Sequence, residues 1–462
     1  MAFKRVREGF LRKNVLFLFS LTTFAYAFSA IIHSPGNEYS DIVYIFNRQT
    51  ASGHLLAPYT QSTFEYPVLT GLFFYLAAKV GLYFGQVNSL ERYYIVTALA
   101  MYPFALGTVF ETERLVRRLT QKPELPLIGF LVLAPTFWFY SVYNWYILGS
   151  YSMMLAINSY IDGKVPRSGM LFGISAATSL ISAVPIVALL ILPGKRRKLL
   201  LLGCALAAWG VINLPFIILS YHGWLEEFLF HVNVTMEDSW LVLIPALNSN
   251  LTSIYAKYLS LAVIAGSFFA LYPVARAAAP KPASARQELS PDESRLASNP
   301  AGLKSFSASA LAEYAGGFSW LSLSAFLLGS YIFAPQLVIL LLPLFAAAFA
   351  GAGFVEYFVF LEFDMLNVSI LLEWFEVSSP LQLPAVTQIF SVARCALLLG
   401  LVLLFLRNSG YGFRLQARPP PRIRNIALTR AECERSISQG SPIRVRLVRL
   451  PRAGKEIQGS ND

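Results

Sequence analysis

The sequence has few charged residues and few cysteines for its length. Charged side chains make up 14% of the 462 residues, whereas 56% of the residues are hydrophobic. Soluble globular domains carry about 25% charged residues, so this composition excludes an ordinary soluble protein. The three cysteines, Cys204, Cys395 and Cys433, are far apart, and their spacing fits neither a disulfide framework nor a zinc site. We therefore expect a membrane protein with no cofactor and no requirement for a divalent metal.

The basic residues are concentrated at the two ends of the chain and in short loops. Lys and Arg outnumber Asp and Glu and give a formal net charge of +11. Membrane proteins retain Lys and Arg in cytoplasmic loops, which accounts for this distribution without a polyanionic partner. We therefore expect the chain to contact membrane lipids and no nucleic acid.

The hydrophobic segments predict an all-α polytopic membrane protein with about 10–12 transmembrane helices. The first segment follows five basic residues and precedes no clear cleavage site, so we predict a retained helix and a cytoplasmic N-terminus. The other predicted spans alternate in direction, and residues 169–193 form two half-helices that break near Ser179 to Pro185. The predicted continuous spans are 14–32, 93–110, 125–142, 146–161, 199–220, 251–273, 311–332, 337–351, 353–372 and 388–406.

Residues 66–85 are hydrophobic, but charge argues against another crossing there. If this segment crossed the membrane, the basic run after the next span would lie outside, against the positive-inside rule. That run contains Arg114, Arg117, Arg118 and Lys122. We therefore predict that residues 66–85 form an interfacial helix in the first outer loop, 34–92.

Composition divides the chain into four regions. Residues 1–275 form an N-terminal transmembrane module, and residues 306–406 form the C-terminal helices. Between them, residues 276–305 are rich in Ala, Pro and Ser and predict a flexible cytoplasmic linker. Residues 407–462 predict a basic, disordered cytoplasmic tail, which either contacts anionic lipid or, as we favour, only fixes the topology.

The first outer loop begins with an unusual concentration of polar groups. Residues 34–67 follow the first span directly and contain Asp41, Tyr44, Arg48, His54, Tyr59, Glu65 and Tyr66. Residues 42–52 have helical character, and a helix that begins at Asp41 presents Arg48 on the same face. Ionisable groups at a membrane surface indicate contact with a polar partner, so we predict that this loop contains the functional site.

The order of motifs in this region resembles a known family. An Asp follows the first span, then a GxLxxPY turn formed by residues 53–59, then Glu65-Tyr66-Pro67, and then Gly85 and Arg92 before the next span. This order resembles the integral-membrane glycosyltransferases of the GT-C fold. Within that fold, it is similar to the branch of polyprenyl-phosphate-mannose-dependent mannosyltransferases.

Later segments extend the resemblance over residues 14–406. They lie at 143–157, 169–193, 213–224, 237–243, 333–344 and 393–399. Two of them depart from the family pattern. The middle motif, which is usually Asn-Trp-Asp, ends here in Tyr146, and residues 179–182 lack the usual Lys. The donor or acceptor can therefore differ from that of typical members, and an inactive subunit remains an alternative.

The resemblance implies transfer of a hexose, by preference mannose, from a polyprenyl or dolichyl phosphate to an acceptor during glycan biosynthesis. A lipid phosphate is a good leaving group, so one carboxylate that deprotonates the acceptor hydroxyl is sufficient and the reaction inverts the anomeric centre. The resemblance assigns this role to Asp41. The alternative is that Asp41 only caps the helix that follows it.

Other residues are candidates for substrate contact. The cations Arg48, His54, Arg92 and Arg394 are candidates for the lipid phosphate. Arg394 is alternatively an interface anchor whose side chain reaches water, and Arg48 is alternatively paired with Glu38 or Glu65. His222 and His231 lack a third ligand at a metal-like spacing, so we expect no metal site. The candidates for the sugar and its surroundings are Tyr44, Tyr59, Glu65, Tyr66, Asn144, Glu237, Asp238 and Gln336. The three acidic residues among them alternatively cap short external helices.

The expected location is the plasma membrane, with both termini cytoplasmic and the site outside; a lumenal site in the endoplasmic reticulum membrane is the alternative. The expected partners are a polyprenyl-phosphate sugar and a lipid, glycan or protein acceptor. A transporter or lipid flippase is the competing function, supported by the predicted helix break. The chain has no evident internal repeat, and its ionisable residues cluster outside the spans, which argues against transport.

Overall fold

The computed structural model describes residues 2–85, 87–120, 125–234, 236–244, 253–280, 308–374 and 385–408. In these ranges the chain is mostly helical, and its only β structure is two isolated bridges. The helices are α1 (Ala2–Ile32), α2 (Asp41–Thr50), α3 (Val68–Tyr83), α4 (Ser89–Thr120), α5 (Leu125–Leu133), α6 (Pro135–Tyr140), α7 (Tyr146–Ile161), α8 (Val165–Thr178), α9 (Ile186–Ile191), α10 (Lys195–Leu219), α11 (Tyr221–Asn233), α12 (Ser253–Ala278), α13 (Ala308–Gly329), α14 (Val338–Ala348), α15 (Phe354–Trp374) and α16 (Val386–Asn408).

Five of the described helices are long and apolar enough to cross a bilayer. They are the Val15–Ile32 part of α1, all of α4 and α10, the Tyr255–Ala278 part of α12, and α16. This architecture is compatible with an all-α polytopic membrane protein, as the composition predicts. The finer prediction of about 10–12 spans stays a prediction.

The helices differ in how much of their apolar surface other helices cover. Every residue from Val338 to Ala347 of α14 is buried, and α13 is buried along most of its length. In contrast, α12 and α10 are largely exposed. In the most apolar 18-residue stretch of each helix, only 11% of the residues of α12 and 17% of those of α10 are buried. A helix that is apolar on all sides and yet exposed is suited to contact with lipid. We therefore interpret α13 and α14 as the core and α10 and α12 as helices facing the bilayer.

The first outer loop contains two helices, as predicted. α2 begins at Asp41, and α3 covers most of residues 66–85. With 16 residues, α3 is about 24 Å long, shorter than the hydrocarbon core of about 30 Å. This length suits the predicted interfacial helix, although its position relative to a bilayer stays a prediction.

The predicted break in residues 169–193 is confirmed. α8 ends at Thr178, a short 3₁₀ turn covers Leu180–Ala183, and α9 begins at Ile186. The hydroxyl of Ser182 lies within the break, where it donates to the backbone oxygens of Ser179 and Ser175. Both oxygens also accept backbone N–H groups, so the hydroxyl is a second donor to each and ties the 3₁₀ turn to the end of α8.

The prediction of one continuous span over residues 125–142 is wrong. α5 ends at Leu133 and α6 begins at Pro135, with Ala134 in an extended conformation at ψ 130°. Proline disfavours helical geometry in the preceding residue, which explains the position of the break. The chain then leaves α6 in a non-helical segment, 141–145, that belongs to the candidate site.

Two further boundaries differ from the predictions. Residues 221–250, between the predicted spans 199–220 and 251–273, were expected to form a second outer loop. The first part of this loop is instead helical, because α11 occupies it. α12 continues to Ala278, so the predicted linker begins inside a helix. Most of that linker and nearly all of the predicted tail lie outside the described residues.

Charged side chains join the C-terminal ends of α4 and α7. Arg114 Nη2 lies 2.7 Å from Asp162 Oδ2, and Arg118 Nη2 lies 2.5 Å from Asp162 Oδ1. The amide of Asn158 donates to the carboxylate of Glu111 at 2.8 Å. The basic run in the last turns of α4 and the charged turn after α7 therefore lie at the same end of the molecule.

Candidate functional site

Asp41 is the first residue of α2, but it is not the residue that caps the helix. The cap is Ser40, whose hydroxyl oxygen accepts a hydrogen bond from Val43 N at 3.3 Å. A Ser cap already satisfies one of the free N–H groups at the helix start. The alternative that Asp41 only caps its helix is therefore wrong, because its carboxylate contacts other groups.

Two neutral side chains donate to the Asp41 carboxylate. Tyr39 Oη lies 3.2 Å from Oδ1, and Asn144 Nδ2 lies 3.4 Å from Oδ2. Asn144 is held in turn by Tyr146, whose backbone N–H donates to Asn144 Oδ1 at 3.0 Å. The structure thus brings together the first outer loop and the segment before α7, which are about 100 residues apart in the sequence.

Burial changes the protonation of Asp41. The residue is only 9% exposed, and burial raises its pKa to about 7. The hydrogen bonds from Asn144 and Tyr39 lower this pKa, while the negative charge of Glu65 raises it. The pKa of Asp41 therefore lies near neutral pH, which suits a group that takes up and releases protons.

Arg48 and Glu65, both predicted to contact substrate, form an ion pair with each other. Arg48 Nη1 contacts Glu65 Oε2, and its Nη2 lies 3.4 Å from the hydroxyl of Thr63. The Glu65 side chain is buried, whereas 36% of the Arg48 side chain is exposed. One of the alternative pairings for Arg48 is thereby confirmed, and its guanidinium is still partly accessible.

Aromatic rings lie beside the carboxylate. The ring centroids of Tyr66 and Trp145 are 4.0 Å apart, and those of Trp145 and Tyr146 are 5.3 Å apart. Tyr44 is exposed, and its ring centroid lies 6.4 Å from that of Tyr39. Rings beside a polar group are a surface on which sugars can stack, although they also pack well against each other.

Tyr59 has a structural environment. It is 2% exposed and adopts a φ of 67°, and its hydroxyl donates to the backbone oxygen of Tyr66 at 2.6 Å. A Cβ atom added at Gly71 or Gly223 would overlap Tyr59. Tyr59 therefore joins the loop to α3 and α11. His54, in contrast, is exposed after α2, with its Nδ1 3.4 Å from the hydroxyl of Ser52.

Arg92 caps α3 in this structure. Its guanidinium donates to the backbone oxygens of Gly81 at 2.9 Å and of Val87 at 2.6 Å, and also to that of Gly85. Carbonyl groups at the end of a helix lack intrahelical donors, and a basic side chain can supply them. These bonds give Arg92 a structural role at the boundary between α3 and α4.

Arg394 is fully buried, so the alternative of an interface anchor reaching water is wrong. Its guanidinium donates to Asn367 Oδ1 at 2.5 Å, to the backbone oxygen of Asp238 at 2.8 Å and to that of Phe333. The guanidinium carbon also lies 4.0 Å from the ring centroid of Phe333. A buried charge requires such partners, and they come from three different segments of the chain.

Asp238 and Gln336 lie around this arginine. Asp238 is fully buried, and its Oδ1 accepts hydrogen bonds from Gln388 at 3.3 Å and Ser391 at 3.2 Å. Gln336 is partly exposed in the short 3₁₀ turn Pro335–Leu337. The backbone oxygen of Pro335 accepts from Asn367, so this turn is tied to the residue that binds Arg394.

Sequence reasoning missed one residue near Asp41, His33, and it named Glu237 without relating it to Asp41. His33 is buried, with Nδ1 2.8 Å from the backbone oxygen of Tyr39 and Nε2 2.7 Å from that of Phe139. The pKa of Glu237 is raised by burial and then by the charges of Asp238 and Asp41. No sequence spacing relates either residue to Asp41; the only signal is a His immediately after the first span.

In the described ranges, no group of three or more His, Cys, Asp and Glu side chains is arranged to hold a metal ion. His231 Nδ1 lies 2.6 Å from the backbone oxygen of Glu227, and the ring of His222 lies beside Tyr221. Comparison with known proteins adds no relative: no protein-family model and no curated protein matches the chain. The resemblance to GT-C glycosyltransferases therefore stays a prediction from the motifs.

Proposed function

We propose that this protein is a GT-C-like membrane glycosyltransferase that moves a hexose, by preference mannose, from a polyprenyl-phosphate sugar to a lipid, glycan or protein acceptor. The observation that carries the proposal is the environment of Asp41. Its carboxylate is not used as a helix cap, it receives hydrogen bonds from Tyr39 and Asn144, and its pKa is about 7. These are the properties of a general base at neutral pH.

The reaction needs one proton acceptor. The acceptor hydroxyl attacks the anomeric carbon, Asp41 takes the hydroxyl proton, and the bond between that carbon and the phosphate oxygen breaks. Polyprenyl phosphate leaves with the electron pair of the broken bond. Because attack and departure occur on opposite faces of the sugar, the anomeric configuration is inverted.

Arg48 is the best candidate for contact with the lipid phosphate. Its side chain is 36% exposed and it already binds one anion, the Glu65 carboxylate. An arginine can bind a phosphate through two parallel N–H groups, so a phosphate can share this guanidinium with Glu65 or displace it. Arg394 is less suited to this contact because it is fully buried and donates to three protein oxygens.

The proposed site faces outward, at the plasma membrane or at the lumenal side of the endoplasmic reticulum membrane. Asn144, which contacts Asp41, precedes α7, whereas Asp162, which contacts Arg114 and Arg118, follows it. The 16 residues of α7 separate these two groups by about 24 Å. If the basic end is cytoplasmic, as the positive-inside rule predicts, Asp41 is at the opposite face.

A transporter or flippase is the second candidate, and one observation favours it. The segment between α8 and α9 is a broken helix, a feature that many transporters use to expose backbone groups to substrate. An inactive glycosyltransferase-like subunit is the third candidate, because Tyr146 occupies the position where the family motif has Asp.

Transfer by detergent-solubilised protein distinguishes these candidates. Detergent removes the two compartments that transport requires, but it leaves an enzyme able to transfer its sugar. We expect the purified protein to release labelled hexose from a polyprenyl-phosphate hexose onto an added acceptor extract. Absence of transfer from several polyprenyl-phosphate sugars, together with movement of lipid across reconstituted vesicles, would favour the transporter; absence of both would favour the inactive subunit.

A further inference from the structure

Glu237 is held in a fixed backbone position. Its N–H donates to the backbone oxygen of Tyr331 at 3.0 Å, and its own backbone oxygen accepts from Phe333 N at 2.9 Å. These two bonds form a short parallel bridge between the second outer loop and the segment before α14. Both backbone polar groups of Glu237 are therefore paired, and its side chain projects from a defined point.

The residue that follows is locked into the protein core. Asp238 has a φ of 51° and is fully buried. Its backbone oxygen accepts from Arg394 at 2.8 Å, and its carboxylate accepts from Ser391 at 3.2 Å, both on α16. A positive φ is unfavourable for a residue with a side chain, so it requires such contacts to persist. Together with the bridge, these contacts hold Glu237 from both sides.

Tyr143 links the surroundings of Asp41 and Glu237. Its ring centroid lies 6.0 Å from that of Tyr39, which donates to Asp41, and 5.3 Å from that of Tyr140. The Tyr140 hydroxyl donates at 3.5 Å to the backbone oxygen of Asn367, whose side chain accepts from Arg394, the residue that binds the backbone next to Glu237.

Burial, and then the charges of Asp238 and Asp41, raise the pKa of Glu237, whereas Arg394 lowers it. Tyr143 provides a second indication, because burial, the charge of Asp41 and the charge of Glu237 all raise the pKa of its hydroxyl. Two segments about 200 residues apart in the sequence thus contribute carboxyl groups to one region.

A donor without a partner lies in the same region. Trp145 is 3% exposed, and its Nε1–H has no hydrogen-bond partner among the described residues. Trp145 follows Asn144, which donates to Asp41, and its ring lies against that of Tyr66. A buried N–H group without a partner is unfavourable, and a ligand that supplies an oxygen acceptor would satisfy it.

We propose that Glu237 and Trp145 Nε1–H bind hydroxyl groups of the transferred sugar, and that Asp238 and Arg394 are positioning residues that hold Glu237 near Asp41. This inference rests on the proposed function and identifies part of its donor site. A carboxyl group, an indole N–H and aromatic faces match the alternating hydroxyl and C–H surfaces of a neutral hexose.

The test compares binding of two lipids to purified protein: polyprenyl phosphate and the same lipid carrying a hexose. We expect the wild type to bind the sugar-bearing lipid more tightly. Glu237→Ala should lose this difference, with the sugar-bearing lipid bound on the order of tenfold to a hundredfold more weakly. Glu237→Gln keeps hydrogen-bonding atoms and should retain most of the preference for the sugar-bearing lipid. Glu38→Gln, at an exposed position, is the matched control and should behave as the wild type.

The outcomes separate this inference from the proposed reaction, because binding is measured without transfer. Sugar-dependent binding that Glu237→Ala removes supports the inference even if the wild type transfers no sugar. The inference is overturned if Glu237→Ala keeps the preference for the sugar-bearing lipid, or if the wild type has none, whether or not transfer occurs.

Ser391→Ala tests the positioning role without disturbing Arg394, whose removal can prevent folding. The substitution removes one donor to the Asp238 carboxylate and leaves the Glu237 side chain intact. We expect binding of the sugar-bearing lipid to weaken severalfold while binding of polyprenyl phosphate is unchanged. Equal binding by Ser391→Ala and the wild type would overturn the positioning role.

Discussion

At Asp41, burial and hydrogen bonding act on the carboxyl group in opposite directions. Burial raises its pKa to about 7, while Asn144 and Tyr39 lower the pKa by donating to the ionised form. In the proposed reaction, the neutral donors therefore keep Asp41 usable as a base at neutral pH without an adjacent cation. Removal of either hydrogen-bond donor should therefore raise the pKa of Asp41 and change the pH dependence of transfer.

We expect kcat/KM for transfer to rise with pH up to about 7 and then to level off, because only ionised Asp41 accepts a proton. Asn144→Ala removes a hydrogen bond that lowers the pKa, so its profile should shift to higher pH. The profile of Glu38→Gln should match that of the wild type. An unchanged midpoint in Asn144→Ala would show that Asn144 does not set the protonation of the base.

His33 connects the start of the first outer loop to α6. Burial lowers the pKa of His33, and the two backbone oxygens at its ring nitrogens raise it. A neutral ring carries one N–H and can donate to only one of these oxygens, whereas the charged ring donates to both. The residue therefore fixes the segment that carries Tyr39, whose hydroxyl contacts Asp41.

Replacing His33 by Phe keeps a ring of similar size and removes these contacts. We expect the loss of one or two hydrogen bonds, about 0.5–1.5 kcal/mol each, to lower Tm and to reduce kcat more than it changes donor KM. Thermal unfolding and steady-state kinetics measure the two effects. A normal kcat with a reduced Tm would indicate that His33 stabilises the fold without positioning Asp41.

At the residue scale, the sequence predicted the helix that begins at Asp41 because its local signals are strong, whereas the catalytic role of Asp41 stays a prediction. A polar segment that follows a span and the start of a helix can both be predicted from residues that are adjacent in the sequence. The environment of Arg394 was not readable, because Asn367, Asp238 and Phe333 approach it from distant parts of the chain. Burial of a charge depends on such non-local partners, so a local pattern could only predict an interface position.

At the scale of the elements, two glycines of α8 allow close packing against the backbone of α10. A Cβ atom added at Gly169 would overlap the backbone oxygen of Leu201, and one added at Gly173 would overlap that of Ala205. The two glycines are four residues apart on α8, the spacing that allows close contact between membrane helices. This contact fixes α8 before the break that leads to α9.

Gly173→Ala should therefore separate α8 from α10. The added methyl group meets backbone atoms, which cannot move away by rotating a side chain, so we expect a cost of about 1–3 kcal/mol and a lower Tm. Gly203→Ala on α10 is the matched control, because nothing lies within 4 Å of an added Cβ there. Equal unfolding temperatures for the two variants, measured in the same detergent, would contradict this account of the packing.

Element boundaries were predicted best where the chain carries a clear local signal. The predicted bounds of α7, 146–161, agree with the structure, since Asn144 and Asp162 border a mostly apolar segment. The break at Pro135 was missed because residues on both sides are apolar and hydropathy averages over them. α11 was missed because its sequence mixes polar and aromatic residues. Its position depends on contacts with other segments: Gly223 lies against Tyr59, and Trp224 Nε1 donates to Asn213 of α10 at 2.9 Å.

For the whole molecule, the two ends of the helical assembly differ in chemistry. One end carries the ion pairs of Arg114 and Arg118 with Asp162, and the other carries the Asp41 site. The assignment of these ends to the two sides of the membrane follows from the positive-inside rule. The helical class could be predicted from composition, whereas the contact between Asp41 and Asn144 depends on tertiary packing.

Single cysteines test this orientation. With Cys204, Cys395 and Cys433 replaced by Ala, we expect an impermeant maleimide to label Ser52→Cys in intact cells. Lys164→Cys should react only after the membrane is made permeable. Both positions are exposed, so accessibility of the thiol is not limiting. The opposite labelling pattern would reverse the orientation and place Asp41 in the cytoplasm.

The most direct test of the central claim is glycosyl transfer in membranes that contain the wild type or Asp41→Asn at equal abundance. The membranes receive radiolabelled polyprenyl-phosphate mannose and their endogenous acceptors, with Glu38→Gln as the control. We predict labelled product with the wild type and the control, and a decrease on the order of a hundredfold or more with Asp41→Asn, because Asn cannot accept the proton. Equal labelling by Asp41→Asn and the wild type would contradict the assignment of Asp41 as the base.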